Sequence, residues 1–102
     1  MLDHIPVTIQ QQEIVDFCQR HHIIQLAFFG SALRDDFQSG SDIDVLVQFH
    51  PDHIPGLAFF GMQAELSQIL GHRVDLNTLQ FISPDFRQQV LGEAEIIYRV
   101  VP

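Results

Sequence analysis

Leu26-Ala27-Phe28-Phe29-Gly30-Ser31, a gap of ten residues, and then Asp42-Ile43-Asp44-Val45-Leu46-Val47 is the stretch whose reading decides the fold. The apolar run from Ile23 to Phe29 is short and is ended by Gly30-Ser31, which suits a strand buried on both faces better than a helix. After the polar loop Gln38-Ser39-Gly40-Ser41, the residues Ile43, Val45, Val47 and Phe49 alternate with Asp42, Asp44, Leu46 and Gln48, the period of a second strand. Side chains two apart on a strand share a face, so Asp42 and Asp44 present their carboxylates together while Ile43 and Val45 face a core. The linker is short enough that the two strands pair antiparallel, which sets Gly30-Ser31 beside the carboxylates.

Outward from this pair, Thr8 and Gln11 form a capping box for a helix over 8–21, with Ile14, Phe17, Cys18 and His21 on its inner stripe. Ser31 to Phe37 has room for a turn or two of helix. Pro51 and Pro55-Gly56 punctuate a loop. Phe59, Met62, Leu66, Ile69 and Leu70 then predict a helix over 57–70 that Gly71 stops. That helix is long enough for a crossover returning a third strand, Val74 to Leu79, parallel to the second, so that Asp75 reaches the same rim as Asp42 and Asp44. Ser83-Pro84 opens a helix to Glu93, and Glu95 to Val101 alternates as a last strand. Leu-Ala-Phe-Phe-Gly occurs at 26–30 and again at 57–61; context predicts strand and turn for the first copy and helix for the second. The fold class expected is α/β (α+β), a small mixed sheet of about four strands flanked by helices.

Two carboxylates ~4 Å apart repel by about 4 kcal/mol at an effective dielectric of ~20, so a cation between them is the natural remedy. Oxygen ligands suit Mg²⁺ or Mn²⁺, and Mg²⁺ leaves most of its positions to water and substrate phosphates, which implies a nucleotide. Gly30 lets the backbone approach phosphate oxygens, and the Ser31 hydroxyl and the N–H groups of the following turn can donate to them. The sequence holds no P-loop, no Gly-x-Ser-x-Gly and no Cys pair. His50 and His53 sit in a proline-broken segment and read as surface loop rather than zinc ligands. His21-His22 ends a helix, where histidine suits the carbonyl end of the dipole.

The chain has 102 residues and a formal charge of −8, its basic side chains being five arginines. That length suits one domain, 1–102. Hydrophobic residues make up 46%, nine of them Phe, enough to fold a core despite the charge. Five scattered arginines give no basic surface for phosphates, so direct binding of nucleic acid is not expected. No apolar run nears the ~18 residues of a membrane span and the N-terminus is unlike a signal peptide, so no membrane partner and a cytoplasmic location are expected. Cys18 reads as a core thiol.

Gly30-Ser31-x10-Asp42-x-Asp44 resembles the signature of the DNA polymerase beta nucleotidyltransferase superfamily, and Asp75 resembles its third carboxylate. Ser41-Asp42-Ile43-Asp44-Val45-Leu46-Val47, Arg73-Val74-Asp75-Leu76 and Leu79 through Val90 further resemble the minimal nucleotidyltransferase antitoxins paired with HEPN-domain toxins. Asp35 departs from the Gly that members often carry after the arginine matched by Arg34. The resemblance implies the nucleotidyltransferase fold and transfer of AMP from ATP to a tyrosine hydroxyl of a HEPN ribonuclease toxin, in a hetero-oligomer with that toxin. It implies Asp42, Asp44 and Asp75 as catalytic metal ligands and Gly30, Ser31, Arg34 and Ser41 as nucleotide contacts. No histidine follows an arginine at the Arg-x4-6-His spacing of a HEPN ribonuclease, so this is the antitoxin side. An antitoxin that blocks its toxin by stoichiometric binding alone is the alternative.

Overall fold

The computed structural model describes residues 10–33 and 42–100. The described elements are α1 (Gln11–Arg20), β1 (Ile23–Phe29), a 3₁₀ turn (Gly30–Leu33), β2 (Ile43–Phe49), α2 (Ala58–Leu70), β3 (Val74–Asn77), a second 3₁₀ turn (Leu79–Phe81), α3 (Pro84–Glu93) and β4 (Glu95–Arg99). They build one mixed four-stranded sheet of order β3-β2-β1-β4. β1 pairs antiparallel with both β2 and β4, and β2 pairs parallel with β3, as a helical crossover through α2 requires.

One face of the sheet is dry. Ile43, Val45, Val47 and Phe49 of β2 join Leu26 and Phe28 of β1 and Val74 and Leu76 of β3 in a single cluster with Ile14, Phe17 and Cys18 of α1 and Met62 and Leu66 of α2. The period-two pattern of β2 therefore sends every second side chain into this core and leaves Asp44, Leu46 and Gln48 for the other face. On that other face Ala27, Leu46 and Val90 are buried outside the cluster.

The helices end where their residues dictate. Gly71 takes the left-handed conformation at φ 69° and its N–H bonds the Ser67 carbonyl, closing α2. Pro84 stands in the first turn of α3, where its missing N–H is not needed. The first Leu-Ala-Phe-Phe-Gly copy is strand running into turn and the second opens α2, as context predicts. Thr8, the proposed cap of α1, lies outside the described residues. β3 is shorter than the expected run to Leu79: the parallel ladder ends at Leu46↔Asn77, and Leu79 turns into the 3₁₀ segment whose Phe81 N–H bonds the Thr78 carbonyl. His22 holds φ 58° at the corner between α1 and β1, a conformation that its sequence did not announce. Among the described residues no helix is long and apolar enough to cross a membrane.

Candidate active site

The acidic rim is assembled by register. In the parallel ladder Asp44 stands opposite Asp75, and in the antiparallel one it stands opposite Phe29, the last residue before Gly30. Asp44 and Asp75 thus sit side by side on the face away from the core, with the glycine turn at their edge. Gly30 has φ 68°, and a β-carbon there would overlap the Asp44 Oδ2 oxygen. Only glycine meets both conditions, which is the structural reason for the Gly-Ser pair.

Asp75 is fixed by the groups around it. The flanking N–H groups of Val74 and Leu76 donate to Ser67 Oγ at 3.0 Å and Gln63 Oε1 at 2.9 Å, both on α2. The outer edge of β3 is thereby capped by side chains, which protects an edge strand from pairing elsewhere and holds the backbone that carries Asp75. Asn77 Nδ2 donates to the Asp75 carbonyl at 3.1 Å.

Asp42 is placed differently from its strand-mate. It lies one residue before β2, its side chain 48% exposed, and its Oδ1 is 3.1 Å from Arg73 Nε. The pairing Ile43↔Val74 sets residues 42 and 73 opposite each other, so the ion pair follows from the register that aligns Asp44 with Asp75. Among the described residues no three His, Cys, Asp or Glu side chains are gathered closely enough to hold a metal ion. The structure brings together Gly30, Asp44 and Asp75, and engages Asp42 with Arg73. Arg34, Ser41 and the Ser31 side chain lie outside what is described.

Two participants at this rim escaped the sequence reading. Arg73 could have been found, since it directly precedes the Val74-Asp75 pair expected to lie beside Ile43-Asp44. Glu93, at the end of α3, accepts a hydrogen bond from the Gly30 N–H at 3.3 Å. The antiparallel pairing Phe28↔Glu95, carried two residues on in each chain, brings 93 to 30, but this needs the strand order, which no local signal supplies. His50 and His53 lie on an exposed loop, where His53 stacks on His22 with ring centroids 3.7 Å apart.

The chemistry of the donor set agrees with a hard cation. The facing carboxylates of Asp44 and Asp75 beside a glycine turn are oxygen donors of the kind such a cation takes, while Asp42 is paired with Arg73.

Residues 12–100 match the family described as polymerase beta nucleotidyltransferase. A Methanocaldococcus jannaschii chain provisionally named protein adenylyltransferase is 31% identical over 84 residues, covering 82% of this chain and 89% of its own. Protein adenylyltransferase MntA of Thermococcus cleftensis is 33% identical over 76 residues, covering 74% of this chain and 75% of its own. A solved structure provisionally named minimal nucleotidyltransferase superposes with TM-score 0.69 at 31% identity, over 84% of this chain and 87% of that one. At lower identity the same fold occurs in a toxin–antitoxin complex with AMP-PNP (TM-score 0.72, 22% identity, 90% and 75% covered). It occurs again in a tri-AMPylated Shewanella oneidensis HEPN toxin bound to its MNT antitoxin (TM-score 0.64, 23% identity, 88% and 70% covered). With its mixed four-stranded sheet and its glycine turn against paired aspartates, the chain belongs to the polymerase beta nucleotidyltransferase family, in its minimal nucleotidyltransferase branch.

Proposed function

We propose that this chain is a cytoplasmic antitoxin that silences a HEPN ribonuclease toxin by transferring AMP from ATP to a tyrosine hydroxyl of the toxin. The observation that carries the reading is the register Asp44↔Asp75 with Gly30 packed against Asp44. The names of the relatives, and the AMPylated toxin in one structural neighbour, support the acceptor and the transferred group.

In the reaction the tyrosine oxygen attacks the α-phosphorus of ATP, the bond to the bridging oxygen of the β-phosphate breaks, and pyrophosphate leaves as the phenol gives up its proton. Mg²⁺ or Mn²⁺ held by Asp42, Asp44 and Asp75 would supply charge neutralisation on the triphosphate and lower the pKa of the incoming hydroxyl. Asp42 is paired with Arg73, so joining that set would mean sharing or giving up this ion pair. The Gly30 turn would offer backbone N–H groups to the triphosphate once Glu93 releases the Gly30 N–H, with Ser31, Arg34 and Ser41 as further contacts. A tyrosine hydroxyl has a pKa of about 10, so a base near it is needed at neutral pH, and Asp75 is the exposed carboxylate of the pair.

The test uses ATP labelled at the α-phosphorus or at the γ-phosphorus. Label from the α position alone should appear on the toxin, and no label from either would refute the transfer. Silencing by occlusion alone is favoured by the engaged state of Asp42 and of the Gly30 N–H. It predicts that a chain carrying Asp42→Ala and Asp44→Ala still protects cells.

A further inference from the structure

The second face of the sheet carries more than the acidic rim. Beyond Asp44 along the same strand, where β3 has ended, lies an apolar cleft of about 640 Å³ lined by residues 46–49 of β2 with Leu79, Phe81, Leu91 of α3, Ile54 and Phe59. These are not incidental surface residues. Phe81 is 65% exposed, Ile54 70% and Leu91 52%. So much contiguous apolar surface marks a binding face.

The cleft is held open by hydrogen bonds. Arg87 Nε of α3 donates to the Leu79 carbonyl at 2.9 Å and to the Ile82 carbonyl at 3.0 Å, locking the 3₁₀ wall to the helix wall. Phe81 is seated edge-on against the buried Phe59, centroids 5.4 Å apart. Beyond Leu46↔Asn77 the β3 ladder has ended, so the edge of β2 over residues 47–49 borders the cleft together with these apolar side chains.

Charge says what kind of partner brings them. Asp44 lies two residues before the cleft residue Leu46 on the same face of β2 and stands opposite Asp75, and Asp85 and Glu93 lie on α3, whose Leu91 lines the cleft. The described arginines are all committed: Arg20 to Glu65, Arg73 to Asp42, Arg87 to carbonyls and Arg99 to Gln25. The formal charge of −8 extends the same field over the whole chain.

We propose that the cleft between Leu46, Phe81 and Leu91 docks a basic amphipathic segment of the acceptor protein, its apolar side chains in the cleft and its Lys/Arg flanks toward Asp85 and the site aspartates. Docked there, on the strand that carries Asp44, the segment brings a neighbouring hydroxyl toward Asp75. The identity of the acceptor rests on the function proposed above; the docking surface does not depend on transfer occurring.

The test compares wild type, Leu91→Asp and Ile54→Asp, the latter on an exposed loop, with the unmodified HEPN toxin as probe. Docking predicts that toxin affinity, and the KM for toxin, worsen about tenfold or more. Binding of a fluorescent ATP analogue with Mg²⁺ and the sedimentation of the free chain should stay unchanged. Hydrogen exchange on the wild-type complex should slow at 46–48, 79–81 and 91, a readout that needs no variant to fold. Unchanged toxin binding, or toxin binding without protection there, overturns the proposal. So does loss of nucleotide binding in the variants, which makes the cleft a base pocket, or a wild-type dimer that Leu91→Asp splits, which makes it a self-interface. If wild type binds the toxin through the cleft yet transfers nothing, the transfer reading fails and the docking surface stands.

Discussion

Gly30 is packed so tightly against Asp44 that no β-carbon fits between residue 30 and the Asp44 carboxylate. The contact ties the proposed phosphate-binding turn to a proposed metal ligand, so that neither moves without the other. Gly30→Ala meets both the collision and the positive φ, the latter alone worth about 1–2 kcal/mol. It should lower the thermal midpoint and weaken binding of an ATP analogue by at least about tenfold, roughly 1.4 kcal/mol. Calorimetry and fluorescence titration on the same preparation read the two effects.

Asp44 and Asp75 face each other across a parallel ladder, an arrangement that costs stability unless a cation lies between them. Asp44→Asn should therefore raise or leave unchanged the thermal midpoint without metal, while lowering transfer by about a hundredfold or more, as loss of a group that stabilises developing charge does. Added Mg²⁺ should raise the wild-type midpoint and leave that of Asp44→Asn where it was. A variant that is both inactive and unfolded would remove the argument for a functional carboxylate pair.

Glu93 occupies the Gly30 N–H that a phosphate oxygen would take. Its replacement by Gln keeps the size and removes the competing charge. Glu93→Gln replaces a charged acceptor by a neutral one, so binding of the ATP analogue should tighten by about threefold to tenfold, the difference between a charged and a neutral hydrogen bond of about 1 kcal/mol. Weaker binding in this variant would show that Glu93 supports the turn rather than competes for it.

Arg20 and His21, at the end of α1, both bond Glu65 of α2, His21 Nε2 lying 2.8 Å from Glu65 Oε1. The Arg20 hydrogen bond holds the Glu65 carboxyl below its ordinary value of 4.5; burial opposes it, and the His21 hydrogen bond lowers it further. A carboxyl lowered in the folded state adds stability above its unfolded pKa, and that stability is lost as pH falls through the folded value. Wild type should therefore melt higher than Glu65→Gln at neutral pH, with the two midpoints converging as pH falls below 4.5 and through the lowered folded value.

Cys18 is fully buried, and burial pushes its thiol up to about 12. Thiolate is the reactive form, so a thiol reagent at about pH 8 should leave the native chain unlabelled and label it once denatured.

What the sequence made legible was local. β1, β2, α2 and α3 fall within a residue of their expected bounds, because an apolar run, a strict alternation, a glycine stop and a serine-proline start are signals within each segment. The antiparallel and parallel pairings followed from linker length and crossover, and they bring Gly30, Asp44 and Asp75 together, while Asp42, expected to converge with them, is paired with Arg73. The end of β3 was misplaced because Leu79 looks like one more strand residue; the turn is set by Arg87 reaching back to its carbonyl. Glu93 at Gly30, and Gln63 and Ser67 along β3, were out of reach because each pairs groups from different elements, through a strand order or a helix docking that no window of sequence encodes.

The most direct test of the central claim is the intact mass of the HEPN toxin after incubation with this chain, ATP and Mg²⁺, with peptide mapping of the modified residue. We expect a toxin heavier by one or more AMP groups on tyrosine, and an unshifted mass when the chain carries Asp42→Ala and Asp44→Ala. An unshifted toxin at every ratio of wild type, or a shift that survives the double substitution, would contradict the account.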